Sequence, residues 1–205
     1  MLQQTLPMNN LRYEKDDLEQ ALQVLKDGGV IVYPTDTIWG IGCDATNVEA
    51  VKRIYDLKQR EDSKSMLVLL DSTGKLQGYV EVPETAEMLL ETTQDPSAEL
   101  KPLTIIYPNA RNLAPNLIAE DGSVGIRITS EPFSKALAER LHRPVVSTSA
   151  NISGHPSARF FDEIEEDILK GADYVCRFRR DDTTPHEASS IIKVNADGTF
   201  VIIRP

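Results

Sequence analysis

The sequence predicts an α/β fold built on a mixed sheet, and two features carry that prediction. Short β-branched and aromatic runs alternate along the chain with stretches of helical apolar spacing, which indicates strands interleaved with helices. The chain then closes on three strand-like runs, the last two facing each other across a turn, which adds antiparallel pairing.

Leu18, Ala21, Leu22 and Leu25 recur at helical spacing within residues 15–27, and "DGG" at 27–29 stops that helix. "VIVYP" (30–34) is a buried strand ended by proline that delivers "TDT" to its tip. Asn47 caps a helix running from about Val48 to Lys58, with Ala50, Val51, Ile54, Tyr55 and Leu57 as its apolar stripe. A strand "MLVLL" (66–70), a helix over 84–92, a strand "LTIIY" (103–107) and a loop rich in proline and asparagine (108–122) follow. Next come "VGIRI" (124–128), a helix over 132–142, "PVVS" (144–147) and a helix over 161–170. "YVCRF", "SSIIKV" and "FVIIR" close the chain as strands, the last two joined by "NADG" at 195–198. No internal repeat or linker interrupts this pattern, so residues 1–205 are expected to form a single domain.

Composition narrows the function. A 40% hydrophobic content suffices for a sizeable core, and no stretch approaches the roughly 18–20 apolar residues that cross a bilayer. The N-terminal "MLQQTLPMNN" has neither the basic start nor the apolar middle of a secretory signal, so a cytoplasmic protein without membrane contact is expected. Cys43 and Cys176 share no metal-ligand or CxxC spacing and are expected to be reduced core thiols, with no metal site. A net charge of −10 argues against a broad nucleic-acid surface, which works by neutralising many phosphates, but leaves room for a small anion pocket.

Three segments place polar groups at strand ends, where open α/β sheets bind ligands. "PTDT" brings Thr35, Asp36 and Thr37, residues that also form ordinary capped turns. "KQREDSK" brings Lys58, Arg60 and Lys64 to a helix end, where a solvated cationic cap is the simpler reading. "STSANISG" (147–154) alternates Ser147, Ser149, Asn151 and Ser153, which share one face in extended chain and could hold a phosphate or carboxylate. Arg127 stands among the apolar residues of "VGIRI", where a guanidinium needs a carboxylate from the protein or from a ligand.

Other motifs fail. "GIGCDA" (40–45) matches a dinucleotide fingerprint only in letters, since its helix begins at Asn47, and "STGKL" (72–76) lacks P-loop spacing. His142, His155 and His186 fall in separate segments and are each most simply surface residues. With no nucleophile elbow or Cys/His pair, catalysis by positioning and charge stabilisation fits better than covalent machinery.

Taken in order, "GGVIVYPTDTIWGIGCDA", "AVKRIYDLKQR", "KPLTIIY", "SVGIRI", "PVVSTSANISGHPS", "SSIIKV" and "VIIRP" resemble the YrdC-like family of threonylcarbamoyl-AMP synthases. The resemblance implies a twisted mixed sheet around a large concave basic cavity. It implies a reaction of L-threonine, bicarbonate and ATP, with Mg²⁺, giving threonylcarbamoyl-adenylate and pyrophosphate for tRNA modification. Threonine would then lie against Thr37, Arg127, Ser147 and Ser189. ATP would lie against Arg60, Lys64, Ser123, Ser149, Ser157 and Arg204, with Asn151 completing an S-x-N signature and Lys58 and Arg60 forming a catalytic KxR pair. The chain departs from the family at Glu99, Leu100 and Lys101, where Trp-Pro-Gly is common, and at residues 65–69, where many relatives read Pro-Leu-x-Val-His. It keeps the serine-alanine-asparagine segment at which a paralogous branch without an assigned reaction departs. Partners would be the tRNA-modification proteins that receive the intermediate. The alternatives are an accessory factor that binds RNA or nucleotide in translation or ribosome assembly, and a carbamoyl-transfer module with another acceptor.

Overall fold

The computed structural model describes residues 13–59, 66–93 and 101–205. Within them nine strands form one sheet: β1 (Ile31–Tyr33), β2 (Gly40–Gly42), β3 (Leu67–Leu70), β4 (Leu103–Tyr107), β5 (Val124–Ile128), β6 (Val145–Ser149), β7 (Tyr174–Val175), β8 (Ser190–Val194) and β9 (Phe200–Arg204). Their order is β7-β1-β2-β6-β3-β5-β4-β8-β9. The β1/β7, β3/β5 and β4/β8 pairs are parallel and the other neighbours antiparallel, so the sheet is mixed as expected. The flanking helices are α1 (Lys15–Lys26), α2 (Val48–Leu57), α3 (Glu84–Thr93), α4 (Pro132–Leu141) and α5 (Glu166–Gly171).

Local chemistry sets the helix ends. The Asn47 side chain accepts from the Ala50 amide at the start of α2. Glu131 accepts from the Phe133 and Ser134 amides ahead of Pro132 in α4, and His142 ends that helix in the left-handed conformation. The expected helix over 161–170 is broken. A single 3₁₀ turn at Phe161–Glu163 precedes α5, and Glu165 between them turns its carboxylate to the Ile152 amide and the His155 ring. "YVCRF" contributes only two strand residues, because the Arg177 and Phe178 amides donate to the Asp17 carboxylate instead of a neighbouring strand.

Strand β2 was not expected: two glycines in three residues give it little intrinsic preference for a strand. Its reason is close approach. A Cβ on Gly42 would lie 2.5 Å from the Val146 carbonyl oxygen and 2.7 Å from the Tyr33 ring, so only glycine lets β2 sit between β1 and β6. The glycines of "GIG" therefore serve sheet packing rather than a phosphate loop.

The twofold side-chain alternation of the strands divides the core. Val30, Val32, Ile41, Val68, Ile105, Ile126 and Val146 pack on one face with Ala50, Val51 and Ile54 of α2, Ala86 of α3 and Ile168 of α5. Ile31, Tyr33, Leu69 and Val145 point to the other face, under Leu18, Leu22 and Leu25 of α1 and Phe133 and Leu137 of α4. Fully burying each such Val, Leu, Ile or Phe side chain contributes about 1.5–3 kcal/mol. Helices α1 and α4 cover only part of their face. Beyond them the residues that alternate with the first core, including Thr104, Gly125, Arg127, Ser147 and Lys193, line an open hollow. Strand β9 forms one sheet edge, with Phe200, Val201, Ile202 and Ile203 exposed.

Candidate active site

The hollow is a cavity of about 660 Å³, within the size range of small-molecule sites. The β1–β2 connection supplies one wall, where Thr35, Asp36 and Thr37 are all buried. Thr35 Oγ1 donates to the Ile38 carbonyl at 2.8 Å and lies 2.9 Å from Thr37 Oγ1. A threonine hydroxyl carries one hydrogen, so Thr37 must donate to Thr35 and keep its own oxygen as an acceptor. That oxygen accepts from Arg127 Nη2 at 3.3 Å.

Arg127 is the centre of the site. Its Nε lies 3.0 Å from Asp36 Oδ1, with the two side chains 3% and 2% exposed. The carboxylate this buried guanidinium requires is thus supplied by the protein's own chain, which resolves the choice the sequence left open. Its Nη1 reaches Thr104 Oγ1 only at 3.5 Å, so the Nη edge, held by two long bonds, keeps donor capacity toward the cavity. Thr104 Oγ1 is 2.8 Å from Ser189 Oγ, and Arg204 donates to the Ser189 carbonyl at 2.7 Å and to its hydroxyl at 3.3 Å. Two guanidiniums are thereby joined through a pair of hydroxyls. Burial first, and the nearby Arg127 second, lower the pKa of Arg204. Like charges converging on one hollow make it a place for an anion.

The far wall comes from the loop before β5 and from β8. Ser123 donates to Asp121 Oδ1 at 2.6 Å, and Lys193 pairs with the same carboxylate. Hydrogen bonds from Lys193 and then Ser123 hold the Asp121 pKa at about 2. Because the Ser123 hydrogen is committed to Asp121, its oxygen faces the cavity as an acceptor.

Of the residues singled out in the sequence, Thr37, Arg127, Ser147 and Ser189 line this cavity, and so do Ser123, Ser149, Ser157 and Arg204. "PTDT" and "STSANISG" meet through the pairing of Gly40 with Ser149. Arg60 and Lys64 lie outside the described residues. Lys58 is no solvated cap: it is 1% exposed, and its ammonium donates to the Ser149 and Asn151 carbonyls, the latter at 2.6 Å. It sits beneath the cavity wall and ties the end of α2 to the end of β6. Asn151 is likewise outside the lining. Its amide donates to the Ile152 and His155 carbonyls at 2.9 and 2.8 Å and shapes the turn that follows Ser149. The face shared by alternate residues therefore ends at Ser149. His186 corrects its expectation as well, being packed with its side chain 17% exposed against Arg179 and Asp182.

Sequence reasoning did not single out Thr104, Glu120, Asp121 or Lys193, all of which line the cavity. Lys193 had a signal: it alternates with Ile191 on one side of "SIIKV" and could have been placed with Arg127 on the ligand face. Asp121, in an irregular loop, had none. Cys43 and Cys176 are free and buried as expected.

A mixed sheet whose uncovered face floors a cavity that gathers two guanidiniums and several hydroxyls defines an α/β protein with a polar site on its sheet. Comparison with known proteins gives the family. The Sua5/YciO/YrdC family model, described as telomere recombination, matches residues 23–205, and the chain belongs to that family. A threonylcarbamoyl-AMP synthase of Escherichia coli (strain K12) is 33% identical over 157 residues, 77% of this chain and 81% of that protein. Another, from Pseudoalteromonas atlantica, is 34% identical over 137 residues, 67% of this chain and 72% of its own. Among solved structures, E. coli YciO matches with a TM-score of 0.81 at 25% identity, over 94% of this chain and 90% of that one. P. abyssi Sua5 complexed with L-threonine matches with a TM-score of 0.80 at 26% identity, over 95% of this chain and 55% of that one. Backbone likeness alone does not separate these branches; the side chains of the cavity must.

Proposed function

We propose that this protein is a threonylcarbamoyl-AMP synthase, a nucleotidyltransferase that joins L-threonine, bicarbonate and ATP into threonylcarbamoyl-adenylate with release of pyrophosphate. The observation that carries the reading is the convergence of Arg127, Arg204 and the hydroxyls of Thr37, Ser147, Ser149 and Ser189 on one cavity. Threonine's carboxylate meets the loosely held Nη edge of Arg127, and its amine meets the acceptor oxygen of Thr37. The neutral amine attacks the bicarbonate carbon and gives up a proton as the C–OH bond breaks, so that water leaves and a carbamate is formed. A carbamate oxygen then attacks the α-phosphorus of ATP, and the bond to the β-phosphate breaks. The hydroxyls of β6 and the guanidinium of Arg204 stabilise charge on the phosphates, a task of positioning rather than covalent catalysis. The acceptor wall of Ser123 and Asp121 suits the exocyclic amine of adenine.

Mg²⁺ belongs to the nucleotide substrate in this scheme. Among the described residues no group of three carboxylates, histidines or cysteines is placed to cage an ion, and Asp121 is held by Lys193 and Ser123. Lys58 supports the Ser149 wall from beneath, while Arg60 and Lys64 are assigned to the triphosphate by their motif. The product would pass to tRNA-modification proteins in the cytoplasm. Among the described residues no helix is long and apolar enough to cross a membrane. An RNA-binding accessory role is disfavoured by the net charge of −10. The test is pyrophosphate release from Mg-ATP with bicarbonate. The reading expects release that depends on threonine, and release indifferent to threonine would reject it.

A further inference from the structure

The chain between β7 and β8 crosses the outside of the threonine-rich turn, and one of its side chains reaches in. Arg179 adopts a left-handed backbone (φ 62), which costs a residue with a Cβ free energy and persists only where surrounding contacts hold it. Backbone bonds of the turn, Arg180 N–H to the Arg177 carbonyl and Asp182 N–H to the Arg179 carbonyl, supply some of those contacts, and its guanidinium, whose side chain is 6% exposed, supplies the rest. Nη1 donates to the Thr35 carbonyl at 2.9 Å, Nε and Nη2 grip Asp182 Oδ2 at 2.9 and 2.8 Å, and Nη2 donates to His186 Nε2 at 2.5 Å. Asp182 is fixed in turn by the Thr184 amide at 2.9 Å. Burial, then the charge of Arg179, lowers the His186 pKa, which favours the neutral ring that can accept from Arg179.

We infer that Arg179 is a positioning residue for the amino-acid end of the cavity: clamped by Asp182 and His186, it fixes Thr35 and through it the Thr37 hydroxyl that faces Arg127. The inference rests on the functional reading above and deepens it. The relay is short. Arg179 holds the Thr35 carbonyl, the Thr35 hydroxyl receives the hydrogen of Thr37, and Thr37 keeps its oxygen turned to Arg127. Only a planar fork with several fixed donors serves a carbonyl, a carboxylate and an imidazole together; a lysine ammonium lacks that geometry. Among the described residues no hydrogen bond joins Ser123, Ser149 or Ser157 of the nucleotide side to this clamp, so its loss should be felt at one substrate and not the other.

Arg179→Lys should raise the threonine KM about tenfold while leaving the ATP KM within about twofold, measured by pyrophosphate release with each substrate varied in turn. Asp182→Asn, which loosens the clamp but keeps the guanidinium, should shift the threonine KM in the same direction by about threefold, and it carries the test if Arg179→Lys fails to fold. Equal rises in both KM values, or no change in either, would overturn the inference. A wild-type protein that releases no threonine-dependent pyrophosphate would fail the functional reading instead, whereas an active wild type with an unaffected Arg179→Lys fails only this one.

Discussion

Replacing Asp36 by asparagine removes the negative charge beside Arg127 with almost no change of volume. At 3% exposure the Arg127 guanidinium cannot reach bulk water. Removing one partner of such a buried pair costs about 3–5 kcal/mol, because the remaining charge is left uncompensated. For a chain of this size each 1 kcal/mol lowers Tm by about 2–4 °C, so Asp36→Asn should melt roughly 6–20 °C below wild type. The orphaned guanidinium would then lean harder on a ligand carboxylate. Threonine should therefore raise Tm more in Asp36→Asn than in the wild type. The Asp36→Asn/Arg127→Met double variant should recover part of the lost stability and lose the threonine effect. Thermal and urea unfolding with and without threonine reads all three. An Asp36→Asn protein within about 1 kcal/mol of wild type, with an unchanged response to threonine, would refute the account of Arg127, since it would place the pair among weakly coupled surface ions.

Three further outcomes follow from the geometry. Gly42→Ala should destabilise by about 1–3 kcal/mol in urea unfolding, since its methyl would press on the Val146 carbonyl and the Tyr33 ring. Burial pushes the thiols of Cys43 and Cys176 well above their ordinary pKa, so a thiol reagent should leave both unmodified in the native protein and label both in denaturant. The third concerns acid. Burial raises the pKa of Asp182, but hydrogen bonds from Thr184 and then Arg179 outweigh it and set the value at about 2, as Lys193 and Ser123 do for Asp121. Both folded values lie below the ordinary aspartate value of about 3.9, so their stabilisation is present above that pH and is lost as pH falls from about 4 to about 2. Urea midpoints taken at pH 7, 4 and 2.5 should fall mainly across the lower interval, and less so in Asp121→Asn.

Much of the scaffold was legible because its signals are local. The apolar spacing of α1, the Asn47 cap of α2, the strand runs "LTIIY" and "VGIRI" of β4 and β5, and the "NADG" turn between β8 and β9 all appear in the structure as expected. What escaped is set by contacts between distant segments. Strand β2 exists because β1 and β6 close on it, and the break before α5 exists because Glu165 reaches across to Ile152 and His155. The same division holds in the site. Hydroxyls at strand ends and an arginine within an apolar strand announce a polar hollow, and the structure gathers them. The sequence could not say that Asp36 supplies the carboxylate for Arg127, nor that the Lys58 ammonium turns inward to the Ser149 and Asn151 carbonyls, because neither pairing follows from spacing. Helix-end cations look alike in sequence whether they face water or a buried carbonyl.

The central claim is that one cavity joins a carbamoylated threonine to the α-phosphate of ATP. Isotope-labelled bicarbonate offered with threonine and Mg-ATP, followed by mass spectrometry, tests it most directly. The account predicts an adenylate that carries both the labelled carbon and threonine and forms in step with pyrophosphate, at a rate cut sharply by Arg127→Gln. ATP cleaved without a labelled adenylate, or label incorporated equally well by Arg127→Gln, would contradict it.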